Sequence, residues 1–169
     1  MVFVSYLSGC GARWRITASE AGITAVFPCT KEGASQENAL TRAAREELSR
    51  YFAGERVSFT VPLETHGTPF QERVWQVLRE LPYGALVSYS HVAQMVGSPR
   101  AVRAVAQAIG RNPCLLLLPC HRVLGKDGSL TGYAAGLELK ARLLALEGIS
   151  YHLPQNNGEN PVKSGQKIG

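Results

Sequence analysis

The chain has 169 residues, with 18 Lys and Arg against 13 Asp and Glu, a formal net charge of +5. At 45% hydrophobic and 18% charged it has the composition of one or two compact domains, which excludes disordered and fibrous classes. No run of about 18 apolar residues is present to make a membrane span, and four cysteines are too few for a disulfide scaffold.

Residues 2–7, 12–18 and 22–27 are short runs rich in Val, Phe, Tyr, Ile and Thr, interrupted by Gly9, Gly11 and Gly22. They predict a small antiparallel sheet with tight turns. Within the first run, Leu7-Ser8-Gly9-Cys10 imitates a lipoprotein cleavage box. A secretory leader needs a basic start and an apolar stretch of about 7–15 residues, and Met1 to Tyr6 supply neither. The segment therefore reads as a strand and the protein as cytoplasmic. Residues 34–53 predict a helix through Leu40, Ala44, Leu48, Tyr51 and Phe52, stopped by Gly54. Val57 to Val61 alternates and predicts another strand. An N-terminal α/β domain over 1–62 and a linker over 63–67 follow from this order.

Thr68-Pro69-Phe70-Gln71 opens a second domain, 68–150, with a helix start: Thr as N-cap, Pro at the first helical position and Gln completing a capping box. Phe70, Val74, Val77, Leu78 and Leu81 line one face of that helix before Pro82-Tyr83-Gly84 ends it. Two short helices near 90–96 and 100–109 are joined by Gly97-Ser98-Pro99, with Val92, Ala93 and Val96 suited to pack on Val102, Val105 and Ile109. This is a helix-turn-helix pattern. The outer face of its second helix carries Arg100, Ala101, Arg103, Ala104, Gln107 and Ala108, small residues that let a backbone come close to a surface, with cations beside them. The same face also fits an Ala-rich helix of high propensity and nothing more. Leu115 to Leu118 predict a buried strand or apolar wall leading to Pro119-Cys120-His121-Arg122. Residues 137–147 predict a last helix, ended by Gly148, and 154–169 a disordered tail.

The charge is unevenly placed. Residues 1–62 hold seven basic and six acidic side chains, whereas 66–150 hold nine and five. Between Glu80 and Asp127 there is no acid, while Arg100, Arg103, Arg111, Arg122 and Lys126 all fall there. A one-signed stretch in a folding domain points to a polyanion, most simply nucleic acid, or to a solvated basic face.

Cys120 is the residue with chemistry. A thiol with an ordinary pKa of about 8.5 is only a few per cent thiolate at neutral pH, so a nucleophilic cysteine needs a base, and the base needs an orienting carboxylate. His121 is adjacent, but neighbours in an extended chain point apart, so contact requires a turn or a bridging water. Glu147 on the last helix is the acid best placed to orient the imidazole.

Residues 112–123, Asn-Pro-Cys-Leu-Leu-Leu-Leu-Pro-Cys-His-Arg-Val, resemble the active-site motif of the O6-alkylguanine-DNA alkyltransferases. The likeness runs from about Gly67 to Gly148 and takes in Val87-Ser88-Tyr89, the helix from Arg100 to Val105, Thr131-Gly132-Tyr133-Ala134 and Leu144-Ala145-Leu146-Glu147-Gly148. It implies an α/β plus α fold, with a small ribonuclease H-like N-terminal domain built on an antiparallel sheet and a helical C-terminal domain with a winged or helix-turn-helix DNA-binding motif. It implies a single-turnover methyltransferase that flips O6-alkylguanine, with O4-alkylthymine as a second substrate, out of the duplex and keeps the alkyl group as a thioether on Cys120. By position, His121 matches the water-linked base, Glu147 its orienting acid, and Asn112 the hinge that steadies the thiol. Tyr89 matches the tyrosine at the target phosphate that helps protonate the departing guanine, and Arg103 the finger that fills the vacated stack. Arg100, Ala101 and Ala104 share the DNA-facing helix, while Tyr133, Val123, Ala134 and Ala135 match the pocket around the guanine.

Ala135-Gly136 stands where many relatives carry Gly-Gly, and the added methyl predicts a narrower pocket for bulky adducts. The spacing of Cys10, Cys29, His66 and His91 suits no metal, so neither metal nor cofactor is expected. The implied partner is double-stranded DNA containing alkylated guanine, met by a monomer with cooperative loading open. The other readings are a module that binds alkylated DNA without reacting, a helix-turn-helix regulator and a Cys-His hydrolase.

Overall fold

The computed structural model describes residues 1–125, 128, 132–150 and 166–167. It divides into two compact units, Met1–His66 with Pro113–Leu117, and Gly67–Asn112 with Leu118–Gly169.

In the first unit, strands β1 (Phe3–Gly9), β2 (Ala12–Ala18) and β3 (Ile23–Cys29) form an antiparallel sheet in that order. Alternation puts Trp14, Ile16 and Ala18 of β2 in the core while Arg13 and Arg15 face outward. Helix α1 (Ala39–Phe52) packs on this sheet and buries Ala44, Leu48 and Tyr51. The expected helix began at 34. It starts later because Asn38 caps it, accepting from the Thr41 N–H, and because Gln36 exchanges backbone hydrogen bonds with Val4 instead.

Two other expectations here are corrected. Val57 to Val61 is not a strand, although Val57 and Val61 are buried. The Thr60 N–H goes to the Glu47 carboxylate at 3.1 Å, so a side chain satisfies the backbone that a partner strand would have taken. Nor do residues 63–67 simply link, because Glu64 donates to the Ile23 carbonyl at 2.8 Å and Leu63 bridges to β3. Pro113–Leu117 also joins this unit, where Cys114 bridges to Val26 and Leu115 donates to its carbonyl at 3.1 Å. The leucine run is an apolar wall and not a strand. Leu115, Leu116, Leu117 and Leu118 are all buried, and Leu116 turns the chain with φ of 75°.

The second unit opens with α2 (Pro69–Glu80), whose capping box between Thr68 and Gln71 forms as the sequence predicts. A four-residue strand, β4 (Ala85–Ser88), follows and was not legible in the pattern. It runs parallel to β5 (Val123–Leu124) and to β6 (Gln166–Lys167). Of the expected disordered tail, β6 is described and the remainder lies outside the described residues.

Helices α3 (Tyr89–Met95) and α4 (Val102–Gly110) form the helix-turn-helix, turning at Gly97 with φ of 79°. Val92, Ala93, Val105, Ala108 and Ile109 are buried between them and α2, and the Trp75 indole N–H donates to the Ala108 carbonyl at 2.8 Å. Helix α5 (Leu137–Leu146) ends in a Schellman turn. Gly148 takes φ of 87°, Ile149 donates to the Leu144 carbonyl, and Ile149 joins Leu144, Leu86 and Leu124 in the core. That closure leaves Glu147 as the cap residue, next to the chemistry.

Candidate active site

Cys120, His121 and Arg122 form one tight 3-10 turn between the leucine wall and β5, and all three are buried. The turn departs from the extended chain in which adjacent side chains point apart. The Cys120 N–H donates to the Leu118 carbonyl at 2.7 Å, and the same carbonyl accepts from the Asn112 carboxamide at 2.7 Å. Asn112 also hydrogen-bonds the thiol. It thus holds both the nucleophile and the backbone before it.

His121 Nε2 pairs with Glu147 Oε2, and Glu147 Oε1 accepts from Arg122 Nε and from the Gly84 N–H, each at 2.8 Å. Arg122 also donates through Nη1 to the Leu81 carbonyl at 2.7 Å and lies 5.8 Å over the Tyr83 ring. The basic stretch seen in the sequence is therefore corrected at one member. Arg122 is an internal cation, only 4% exposed, and does not face a polyanion.

Lys140 is the residue that sequence reading missed. It is fully buried on α5 and donates from Nζ to the Val123 carbonyl at 2.7 Å and the Gly132 carbonyl at 3.3 Å. A signal existed: Lys140 lies in the apolar stripe of Leu137, Leu143 and Leu144 at helical spacing, where a lysine is costly unless it has work.

Electrostatics in this site pull in opposed directions. Burial pushes the Cys120 thiol up to about 11, against the Asn112 hydrogen bond and the Lys140 charge, which lower it. The resting thiol is protonated and needs a base at the moment of attack. Burial also lowers His121, with Glu147 opposing, so its imidazole is neutral at neutral pH. Burial alone would raise Glu147, but His121 and Arg122 outweigh it and hold the carboxyl well below the usual carboxylate range. Lys140 is pushed down to about 8 by burial, with the thiol opposing.

Beside the thiol lies a cavity of about 390 Å³, lined by Tyr89, Ala106, Ile109, Gly110, Cys120, Gly132, Tyr133 and Ala134. Three expected residues, Tyr89, Tyr133 and Ala134, are on its wall with Cys120. Val123 and Ala135 are not: Val123 is buried in β5 with its carbonyl on Lys140, and Ala135 is absent from the lining. Ala106, Ile109 and Gly110 were not anticipated in this wall. They come from α4, which also exposes Arg103, Ala104 and Gln107; Arg103 lies three and seven residues before Ala106 and Gly110, on the same helical stripe. Arg100 is exposed in the turn before α4 and Ala101 is its N-cap residue. Among the described residues no group of His, Cys, Asp or Glu is arranged to hold a metal, and no helix is long and apolar enough to cross a membrane.

Two family descriptions cover most of the chain. The DNA-binding domain of 6-O-methylguanine DNA methyltransferase matches residues 69–149, and the ribonuclease-like domain of the same family matches residues 13–65. The chain belongs to this family. It is 55% identical to the constitutive methylated-DNA–protein-cysteine methyltransferase of Bacillus subtilis over 109 residues, 64% of this chain and 66% of that protein. A Methanosarcina acetivorans methylated-DNA–protein-cysteine methyltransferase is 51% identical over 107 residues, 63% of this chain and 69% of its own length. These relatives are thus aligned over about two thirds of their lengths. The crystal structure of Mycobacterium tuberculosis O6-methylguanine methyltransferase is similar at a TM-score of 0.77 and 36% identity, covering 87% of this chain and 93% of that one. Mycobacterium tuberculosis OGT in complex with DNA is similar at 0.75 and 36%, covering 84% and 90%. The α/β plus α architecture that the motif resemblance implied is the architecture of these 6-O-methylguanine DNA methyltransferase relatives.

Proposed function

We propose that the chain repairs duplex DNA by transferring the alkyl group of O6-alkylguanine, and of O4-alkylthymine as a second substrate, to Cys120. One observation carries this reading: a buried thiol on the wall of a cavity of about 390 Å³, followed in the same turn by a buried imidazole paired with a carboxylate. An alkyl carbon inside a duplex cannot meet that thiol, so the nucleotide must leave the stack, at a cost of a few kcal/mol. Arg103, exposed on α4 among small side chains, fills the vacated space. Arg100, Ala101 and Ala104 bring that helix onto the phosphates. The complex of DNA with a 36% identical relative supports DNA as the partner.

In the pocket His121 takes the Cys120 proton through one water, and Glu147 stabilises the imidazolium that forms. Sulfur then attacks the alkyl carbon, the carbon–O6 bond breaks, and its electron pair leaves with the guanine. Tyr89 supplies the proton that neutralises the departing base. Lys140 stabilises the transient thiolate, and its two carbonyl contacts tie the Gly132 side of the cavity to β5. The thioether does not hydrolyse, so each molecule acts once. We read the acting species as a monomer on nucleoid DNA in the cytoplasm. Sedimentation on duplexes of increasing length tests that state and any cooperative loading.

The deciding experiment is mass spectrometry after incubation with an oligonucleotide containing O6-methylguanine. One methyl group per protein, on Cys120, is expected. Repeated turnover or an unmodified protein overturns the reading.

A further inference from the structure

Glu147 divides its two oxygens between two partners. Oε2 goes to His121, while Oε1 is held by the Arg122 guanidinium and the Gly84 N–H. Arg122 is itself fixed at a second point, the Leu81 carbonyl, and packs over Tyr83, whose hydroxyl donates to the Leu146 carbonyl at 3.1 Å. The guanidinium therefore cannot drift from Glu147 without breaking contacts to the chain on both sides of it.

This arrangement bears on the base. A buried carboxylate whose one counter-ion is an imidazole draws a proton onto that imidazole and keeps the pair as imidazolium and carboxylate. An imidazolium has no lone pair to accept the thiol proton. A permanent cation on the other oxygen answers part of the carboxylate charge and removes that pull, and arginine is the side chain that stays charged when buried. We propose that Arg122 is a positioning residue for this reaction, fixing Glu147 and sharing its charge so that His121 remains a neutral base for Cys120. The inference rests on the reading of Cys120 as the alkyl acceptor.

The charged groups acting on His121 are Glu147, the cap residue of α5, Lys140 within α5, and Arg122 from its own turn. Burial lowers His121 most, Glu147 opposes, and Arg122 and Lys140 both add to the lowering. With Arg122 removed, the balance moves toward a protonated ring.

Arg122→Gln keeps a donor near Glu147 and removes the charge. Arg122→Lys keeps the charge and gives up the two-point geometry. The rate of Cys120 alkylation by free O6-benzylguanine, read by mass spectrometry, is followed from about pH 5 to about pH 9 in parallel with the His121 ring signals by NMR. In Arg122→Gln the acidic limb and the His121 titration should both move up by about one pH unit, with a rate loss of about tenfold on the acid side and near-wild-type rates on the alkaline side. In Arg122→Lys the limb should return most of the way to its wild-type position. A limb that stays in place or moves down in Arg122→Gln overturns the proposal, even if melting temperature falls. If that variant does not fold, an upward-shifted limb in a folded Arg122→Lys overturns it. A wild-type protein that forms no Cys120 adduct counts against the repair reading, whereas a normal adduct with an unmoved limb counts against Arg122 alone.

Discussion

Arg103 and Arg122 are the same side chain in the same unit, and their surroundings are opposite. Arg103 is exposed on α4 beside Ala104 and Gln107. Arg122 is buried against Glu147, the Leu81 carbonyl and the Tyr83 ring, and Lys140 is buried against the Val123 and Gly132 carbonyls. An exposed cation acts through water, is screened by salt and is indifferent to the chemistry behind it. A buried one carries a desolvation cost, acts on named partners and is little affected by salt. The lesson is that one region meets the polymer and the other tunes the reaction, although both contribute to a single basic stretch of sequence.

Cys120→Ser gives the largest expected effect. It should abolish the adduct in mass spectrometry while duplex affinity in a gel-shift titration stays within about twofold, because the exposed cations are intact. Lys140→Met strikes the buried set. Repair of duplex and reaction with free O6-benzylguanine should fall together, by about a hundredfold at neutral pH, where a lysine pushed down to about 8 still carries its charge beside the thiol. A loss confined to duplex would place Lys140 with the DNA contacts and break the distinction.

Removing the base tests the sign of the thiol shift. In His121→Gln, thiolate is the reactive form and burial has raised its pKa, so alkylation by a small haloacetamide should climb about tenfold per pH unit until about 11. A rate already flat at neutral pH would mean the thiol is not raised. Arg103→Ala should slow duplex repair by about tenfold and leave the free base reaction unchanged, since the finger acts on the stack alone. Equal losses would erase the contrast with Arg122. Ala135→Gly should move the ratio of large-adduct to small-adduct rates by less than about twofold, because Ala135 is not on the cavity wall.

What the sequence revealed was local. The capping box at Thr68, the Gly97 turn between two apolar-faced helices, and the Pro-Cys-His-Arg string are each contiguous, and each formed where the residues indicated. What escaped depends on contacts distant in sequence. β4 has four residues, all buried, and pairs with a two-residue strand, so it shows no alternation to read. Val57 to Val61 alternates for burial reasons while its Thr60 N–H is satisfied by Glu47. Arg122 was counted with the surface cations because nothing adjacent reveals that Glu147, 25 residues away, will close on it. Lys140 alone left a trace, a charge in an apolar stripe.

Leu116 carries a consequence of its own. Its left-handed backbone, φ of 75°, costs a residue with a Cβ on the order of 1–3 kcal/mol. Glycine would remove that cost, but the side chain is fully buried, and emptying a leucine's volume costs about 2–5 kcal/mol. The cheaper backbone therefore comes only with the dearer hole. Position 116 has no favourable single-step exit, and the bend that starts the approach to the reactive turn is held in place by the very side chain it strains.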